Sequence, residues 1–243
     1  MRMRRPAITA AAAGLAVAAV ALVPAAPATA ADDPQFVRQA GTYDYLATPD
    51  YTGLMPIGTV TKGATLGLGT FDGLTGEFIL VGGRGYRVNV DGTPVAVDST
   101  ASTPFAEAVH FVPDTSVPVP PGTTCAQLIA NVNAAAGTDA GMVAVRVRGT
   151  FTGLTTRSVP GFARPYPTLP NAVAQQTTFD LSGRTAVLVG FRTGADFAGV
   201  GAAGLHLHGV TADRAAGGHV LNCIAGNDVQ LSVQRTAGVT IVD

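Results

Sequence analysis

Apolar and polar positions alternate with a period of two along much of this chain, the pattern of strands rather than long helices. In "GMVAVRVRGTF", Val143, Val145 and Val147 point one way, and Met142, Ala144, Arg146 and Arg148 the other. "EFILVGGRGYRVNVDGTPVAV" reads as three strands, with turns at Gly82-Gly83 and Asp91-Gly92. "RTAVLVGF" is a further strand. "TTCAQLIANVNAAAG" is the best helix, with Thr123 or Thr124 as N-cap and a stop at Gly137. "DTSVPVPPGTT" reads as a connector between two parts of the chain. These elements predict an α+β fold, predominantly β, with mixed or antiparallel sheets and few helices.

A short echo bears on organisation. "GTFDGLT" (69–75) and "GTFTGLT" (149–155) differ at one position in seven. A duplication would give two related β-rich halves packed on one another, at about 31–120 and 140–243.

Composition supports the strand reading, since Gly, Thr, Val and Pro are abundant and charge is sparse. The first thirty residues stand apart. Arg2, Arg4 and Arg5 precede an Ala-rich apolar run, and Ala28-Thr29-Ala30 is a small-x-small cleavage pattern. Residues 1–30 are therefore expected to be a signal peptide cleaved after Ala30, leaving residues 31–243 as the exported part. The apolar run is short for a membrane span, and no later segment is apolar enough to be one. The leader holds three of the fifteen basic residues and no acid, leaving twelve bases against sixteen acids. That balance argues against nucleic acid as a partner. Cys125 and Cys223 are the only cysteines, and in an exported chain they are candidates for a disulfide.

The candidate chemistry is concentrated. Of four histidines, His206, His208 and His219 fall within "GLHLHGVTADRAAGGHV". Residues i and i+2 of a strand share a face, so His206 and His208 point together. The following stretch has turn chemistry, and a hairpin would return His219 beside them. Three imidazoles suit zinc or a similar divalent ion, with a coordination position left open as in catalytic sites. Asp213, in the turn, is a candidate to orient a ring. The fourth histidine, His110, reads as a strand or core residue. Glutamate is scarcer still, at Glu77 and Glu107. Glu77 follows "LGLGTFDGLTG", whose glycines would let backbone approach a ligand. Arg146 lies mid-strand among valines, where a cation is costly unless it is paired or faces a wet cleft. It reads as an anion clamp or as part of a solvent-facing edge. A three-histidine zinc hydratase or hydrolase, and a secreted β module that binds metal without turnover, are two readings open to such a cluster.

"GLGTFDGLTGEFILVGGRGYRVNVDG", "TPFAEAVHF", "VAVRVRGTFTGLTTRSVPGFARPYPTL" and "GLHLHGVTADRAAGGHVL" together resemble the acetolactate decarboxylase family, in the right order and over most of Met55 to Cys223. The resemblance implies a zinc enzyme that converts 2-acetolactate to (R)-acetoin and carbon dioxide, built from two β-rich halves and often dimeric. It implies His206, His208 and His219 as zinc ligands, with Arg146, Glu77 and Thr70 completing the site. Zinc would act as a Lewis acid that stabilises the enediolate. The family also places a glutamate near the C-terminus, and this chain has none after Glu107.

Overall fold

The computed structural model describes residues 35–242; the expected leader and Asp243 lie outside them. The first half runs β1 (Phe36–Ala40), α1 (Tyr43–Ala47), β2 (Met55–Pro56), α2 (Ile57–Thr61), β3 (Leu66–Thr70), β4 (Glu77–Val81), β5 (Arg84–Val88), β6 (Pro94–Ala96), β7 (Ser102–Thr103) and β8 (Ala106–Val109). The β4–β5 hairpin turns at Gly82 and Gly83, both at positive φ as a tight hairpin turn requires. The second half runs β9 (Thr115–Pro118), α3 (Cys125–Ala136), β10 (Met142–Ser158), α4 (Leu169–Val173), β11 (Thr177–Asp180), β12 (Thr185–Thr193), β13 (Gly204–Thr211), β14 (Gly217–Ala225), β15 (Gln230–Arg235) and β16 (Gly238–Ile241). No helix among the described residues is long and apolar enough to cross a membrane.

The two sheets repeat one strand order. The first contains β1-β8-β3-β4-β5, and the second β9-β15-β10-β12-β13. In each, a helix immediately precedes the middle strand of this order in the chain, α2 before β3 and α3 before β10. The sequence echo falls at matching places, on β3 and on β10. Gly69 and Gly149 both adopt φ near +150° (157° and 147°), a region that side chains rarely enter. A Cβ would lie 2.4 Å from Phe105 O in one case and 2.7 Å from Val229 Cα in the other. The copies then diverge. After Phe71 the chain makes a 3-10 turn (Asp72–Leu74), where Asp72 Oδ1 accepts from Gly53 N at 2.6 Å. After Phe151 the strand continues through a bulge.

Two features depart from a simple pair of halves. The last strand, β16, returns to pair in parallel with β1 and so joins the N-terminal sheet. The second sheet also closes on itself, because the long β10 pairs with β12 through its first part and with β14 through its second.

The alternation in β10 is apolar on both faces because both faces are buried. Val143, Val145 and Val147 pack with Leu128 and Val132 of α3. Met142 and Ala144 face the other sheet and pack with Leu66, Leu68 and Ile79. A third cluster joins α2, through Ile57 and Val60, to Phe78 and Leu80 on the first sheet's other face. α3 is the expected helix, with Thr124 as N-cap, a reciprocal bond from Gln127 and Gly137 at φ 69° as its stop. Cys125, its first residue, is bonded to Cys223 of β14 across a sequence separation of 98.

Candidate metal centre and active site

The β13–β14 hairpin sets the ligands. His206 and His208 share a face of β13, and His219 of β14 stands directly opposite His208. His219 Nδ1 lies 3.2 Å from both His206 Nε2 and His208 Nε2. One ligand atom from each ring can be chosen so that all three lie within 4.8 Å of one another. Behind His206, β12 carries Gly190, where a Cβ would stand 2.0 Å from His206 O and 2.8 Å from Leu68 Cδ2. A larger residue there would push the hairpin off its neighbours.

Burial keeps these rings neutral. It lowers the pKa of His206 to about 3 and holds those of His208 and His219 well below the ordinary value; the Arg157 cation works in the same direction on all three. His208 Nδ1 lies 2.8 Å from Phe78 O. A carbonyl accepts only, so Nδ1 carries the proton and Nε2 presents its lone pair to the other rings. Three neutral nitrogens converging in a buried place are the donor set that a zinc-like divalent ion requires, and the Phe78 carbonyl fixes one tautomer for it. The residues fit a metal.

Facing the triad across the sheets is β4. Glu77 is buried, with Oε2 3.5 Å from His208 Nε2 and Oε1 2.7 Å from Arg157 Nη1. Burial drives this carboxyl above its ordinary range, and the Arg157 cation opposes that shift. Thr70 pairs with Glu77 across the β3–β4 ladder, and its hydroxyl donates to Gly76 O at 2.9 Å.

The arginine at this place is Arg157. Arg146 lies earlier on β10, between Val189 and Ser232 in the ladder, with its guanidinium 5.1 Å from the Phe111 ring centre. It lines no part of the cavity beside the triad. Both arginines nonetheless face the other sheet. They stand eleven positions apart, an odd spacing that plain alternation would send to opposite faces. The bulge between Phe151 and Gly153 reverses the parity and brings Arg157 directly opposite His219. Strand spacing alone could not reveal this; the available signal was that "TGLTTRS" continues the strand pattern of β10.

The other candidates separate clearly. Arg148 is exposed. Asp213 is held in an exposed turn by Arg184 at 2.6 Å, and touches none of the rings. His110 is exposed just past β8, with Nδ1 3.1 Å from Gly63 O, and is not a core residue.

A cavity of about 210 Å3 opens beside the triad. Thr70, Glu77, Arg157 and the three histidines line one part of it. Leu74, Phe105, Val159, Leu169 and Leu205 make apolar walls, and Tyr43 of α1 completes the lining. The end of β10 thus supplies the cation, and the segment after it supplies part of the wall. Tyr43, Phe105 and Leu169 carried no chemical signal in the sequence, because only the tertiary fold brings them to the triad.

The chain resembles known proteins over most of its length. The pattern of the Alpha-acetolactate decarboxylase family matches residues 37–242. An alpha-acetolactate decarboxylase of Methanosarcina mazei is 35% identical over 184 residues, covering 76% of this chain and 64% of its own length. The chain thus spans slightly less than two thirds of that relative. One of Methylococcus capsulatus is 35% identical over 193 residues, covering 79% of this chain and 74% of its own. The crystal structure of acetolactate decarboxylase from Bacillus subtilis subspecies spizizenii superposes with a TM-score of 0.81 at 28% identity, covering 85% of this chain and 88% of that one. On a match that runs through both sheets and the histidine hairpin, this chain belongs to the alpha-acetolactate decarboxylase family.

Proposed function

We propose that this protein decarboxylates 2-acetolactate to (R)-acetoin and carbon dioxide, with zinc as its resident metal. The observation that carries the reading is the meeting of three neutral imidazoles with the Glu77–Arg157 pair at one apolar-walled cavity. Family membership supports the same reaction. His206, His208 and His219 would hold the ion. When bound, it supplies Lewis acidity that makes the substrate's keto group a better electron sink.

The chain's own residues do the rest. Arg157 offers the cavity's cation to the substrate carboxylate and orients the C–C bond to be broken along the carbonyl π system. Glu77 accepts from Arg157 and holds the guanidinium in place. Leu74, Phe105 and Leu205 exclude water from the carboxylate, which favours its loss as neutral carbon dioxide. The electron pair released forms the C2=C3 bond of an enediolate. One proton then reaches C2, and the net reaction consumes one proton and releases one carbon dioxide. Thr70 has given its own proton to Gly76 O, so it faces the cavity as an acceptor.

The Cys125–Cys223 bond supports the further reading that the protein works in an oxidising compartment after export. The test is direct. Purified protein given 2-acetolactate should form acetoin, lose that activity to a chelator and regain it with zinc. Metal-replete protein that forms no acetoin would sink the proposal, and bicarbonate formation or ester cleavage in its place would mark a hydratase or hydrolase.

A further inference from the structure

The reaction needs a proton at C2, delivered to one face if a single enantiomer is to form. The cavity holds few groups able to deliver it. The Thr70 hydroxyl donates to Gly76 O. The Arg157 Nη1 proton is given to Glu77, and a guanidinium does not surrender its charge in a protein. Glu77 accepts from Arg157 through one oxygen and lies 3.5 Å from His208 through the other. The imidazoles are the candidate metal ligands. Among the cavity-lining residues one hydroxyl is left over, that of Tyr43.

Tyr43 is half-buried, with its ring packed against the core between the sheets. Its backbone N–H donates to Val200 O at 2.9 Å. Its ring meets the Phe105 ring edge-on, with centres 6.4 Å apart and planes at 77°. Both neighbours belong to the cavity's surroundings: Phe105 is a wall, and the chain just past Val200 adds Ala202 and Ala203 to the lining. The ring is therefore pinned at its backbone and on one edge. Its hydroxyl makes no hydrogen bond to any described residue, although Tyr51, deeper in the same region, spends its own on Pro167 O. A phenol fixed beside a reaction cavity with its proton uncommitted is a group positioned to donate.

We propose that Tyr43 is the proton donor that completes the reaction. This rests on the decarboxylase reading above. The C2–carboxylate bond breaks and carbon dioxide leaves, and the electron pair forms the C2=C3 bond. The Tyr43 O–H bond then breaks as its proton forms a C–H bond at C2, and the C3 carbonyl is restored. The phenolate regains a proton from water at the cavity mouth. Atoms and charge balance over the cycle, with one proton taken from solvent per turnover.

The experiment compares wild type with Tyr43→Phe and Tyr43→Met, both of which fill the space without a hydroxyl. Zinc content, turnover of 2-acetolactate and the enantiomeric composition of acetoin are measured together. Zinc content should be unchanged, kcat should fall about 100-fold or more, and the acetoin should lose enantiomeric purity as solvent protonates the enediolate from both faces. A variant that keeps wild-type rate and purity overturns the assignment. So does a slowed variant that still gives one enantiomer, because that places Tyr43 in binding rather than proton delivery. Wild type that binds zinc but forms no acetoin overturns the decarboxylase reading, and this inference with it; an active wild type with unaffected variants overturns only the role of Tyr43.

Discussion

Arg157 and Glu77, eighty residues apart in the chain, meet at 2.7 Å and tie β10 of one sheet to β4 of the other. Both side chains are almost wholly enclosed, at 13% and 5% exposure. Removing one member of such a pair leaves a buried charge without its partner, at a cost of about 3–5 kcal/mol. Arg157→Ala is therefore expected to lower unfolding free energy by about 3 kcal/mol and to abolish acetoin formation. Arg157→Lys should keep the fold better than the activity, because an ammonium lacks the planar fork. Arg146→Ala, outside the cavity, should leave turnover within about twofold. Urea unfolding and acetoin assays on the three variants check this; an active Arg157→Ala enzyme would remove the cation from the mechanism.

Metal-depleted protein should become acid-sensitive. In the folded state burial holds the His206 pKa near 3 and keeps His208 and His219 well below the ordinary value, whereas in the unfolded chain all three titrate near 6.5. The folded form then binds fewer protons, so the stability is present above pH 6.5 and is lost as pH falls below it. Each ring contributes a slope of about 1.4 kcal/mol per pH unit, extending down to about pH 3 for His206. Urea midpoints measured at pH 7, 6 and 5 should fall with pH in chelator and in zinc alike, and zinc should raise them by a similar amount at each pH, because the folded rings are already unprotonated across this range. A chelated protein equally stable at pH 7 and 5 would contradict the buried, neutral triad.

Much of this site was legible in the sequence because the responsible geometry is local. His206 and His208 share a face by strand alternation, and a short turn returns His219 to the same place. Glu77 and Thr70 came from the family's pattern and meet across one hairpin. Arg146 drew the arginine assignment because it stands mid-strand among valines and matches the family's "VRV" strand, whereas Arg157 reaches the triad only through a change of parity. The parity change at Phe151–Gly153 depends on pairing with β14, a contact about seventy residues away that no local pattern encodes. The halves were visible in the echo around Gly69 and Gly149, whose backbone conformation only glycine adopts readily. The closure of the second sheet and the return of β16 to β1 were not, since long-range pairing leaves no periodic mark on either strand.

The disulfide offers a test of how the fold is stabilised. Cys125 anchors the start of α3, and Cys223 lies in the core of the closed sheet. A bridge across so long a loop restricts the unfolded chain strongly. Replacing both cysteines by Ala should cost about 2–5 kcal/mol while leaving zinc content unchanged at room temperature, because neither sulfur lines the metal cavity. Thermal melts in oxidising and reducing buffer, with zinc measured on the same samples, read both effects. Loss of zinc on reduction at a temperature where the fold persists would show that the bridge shapes the site as well as the core.

Glu107 should limit stability at alkaline pH. It lies on β8 opposite Gln39 of β1 and is 1% exposed. Its Oε1 has no hydrogen-bond partner among the described residues. Burial alone raises its pKa from 4.5 to about 8, so at neutral pH the folded protein holds a protonated carboxyl that the unfolded chain would ionise. The contribution is complete below pH 4.5 and is lost between pH 4.5 and 8, at about 1.4 kcal/mol for each pH unit crossed. Glu107→Gln keeps the shape and cannot ionise. It should unfold at nearly the wild-type denaturant concentration at pH 4.5 and at a clearly higher one at pH 8, since only wild type pays for the buried acid. Equal midpoints at both pH values would mean that Glu107 is ionised in the folded protein and has a partner that offsets its charge.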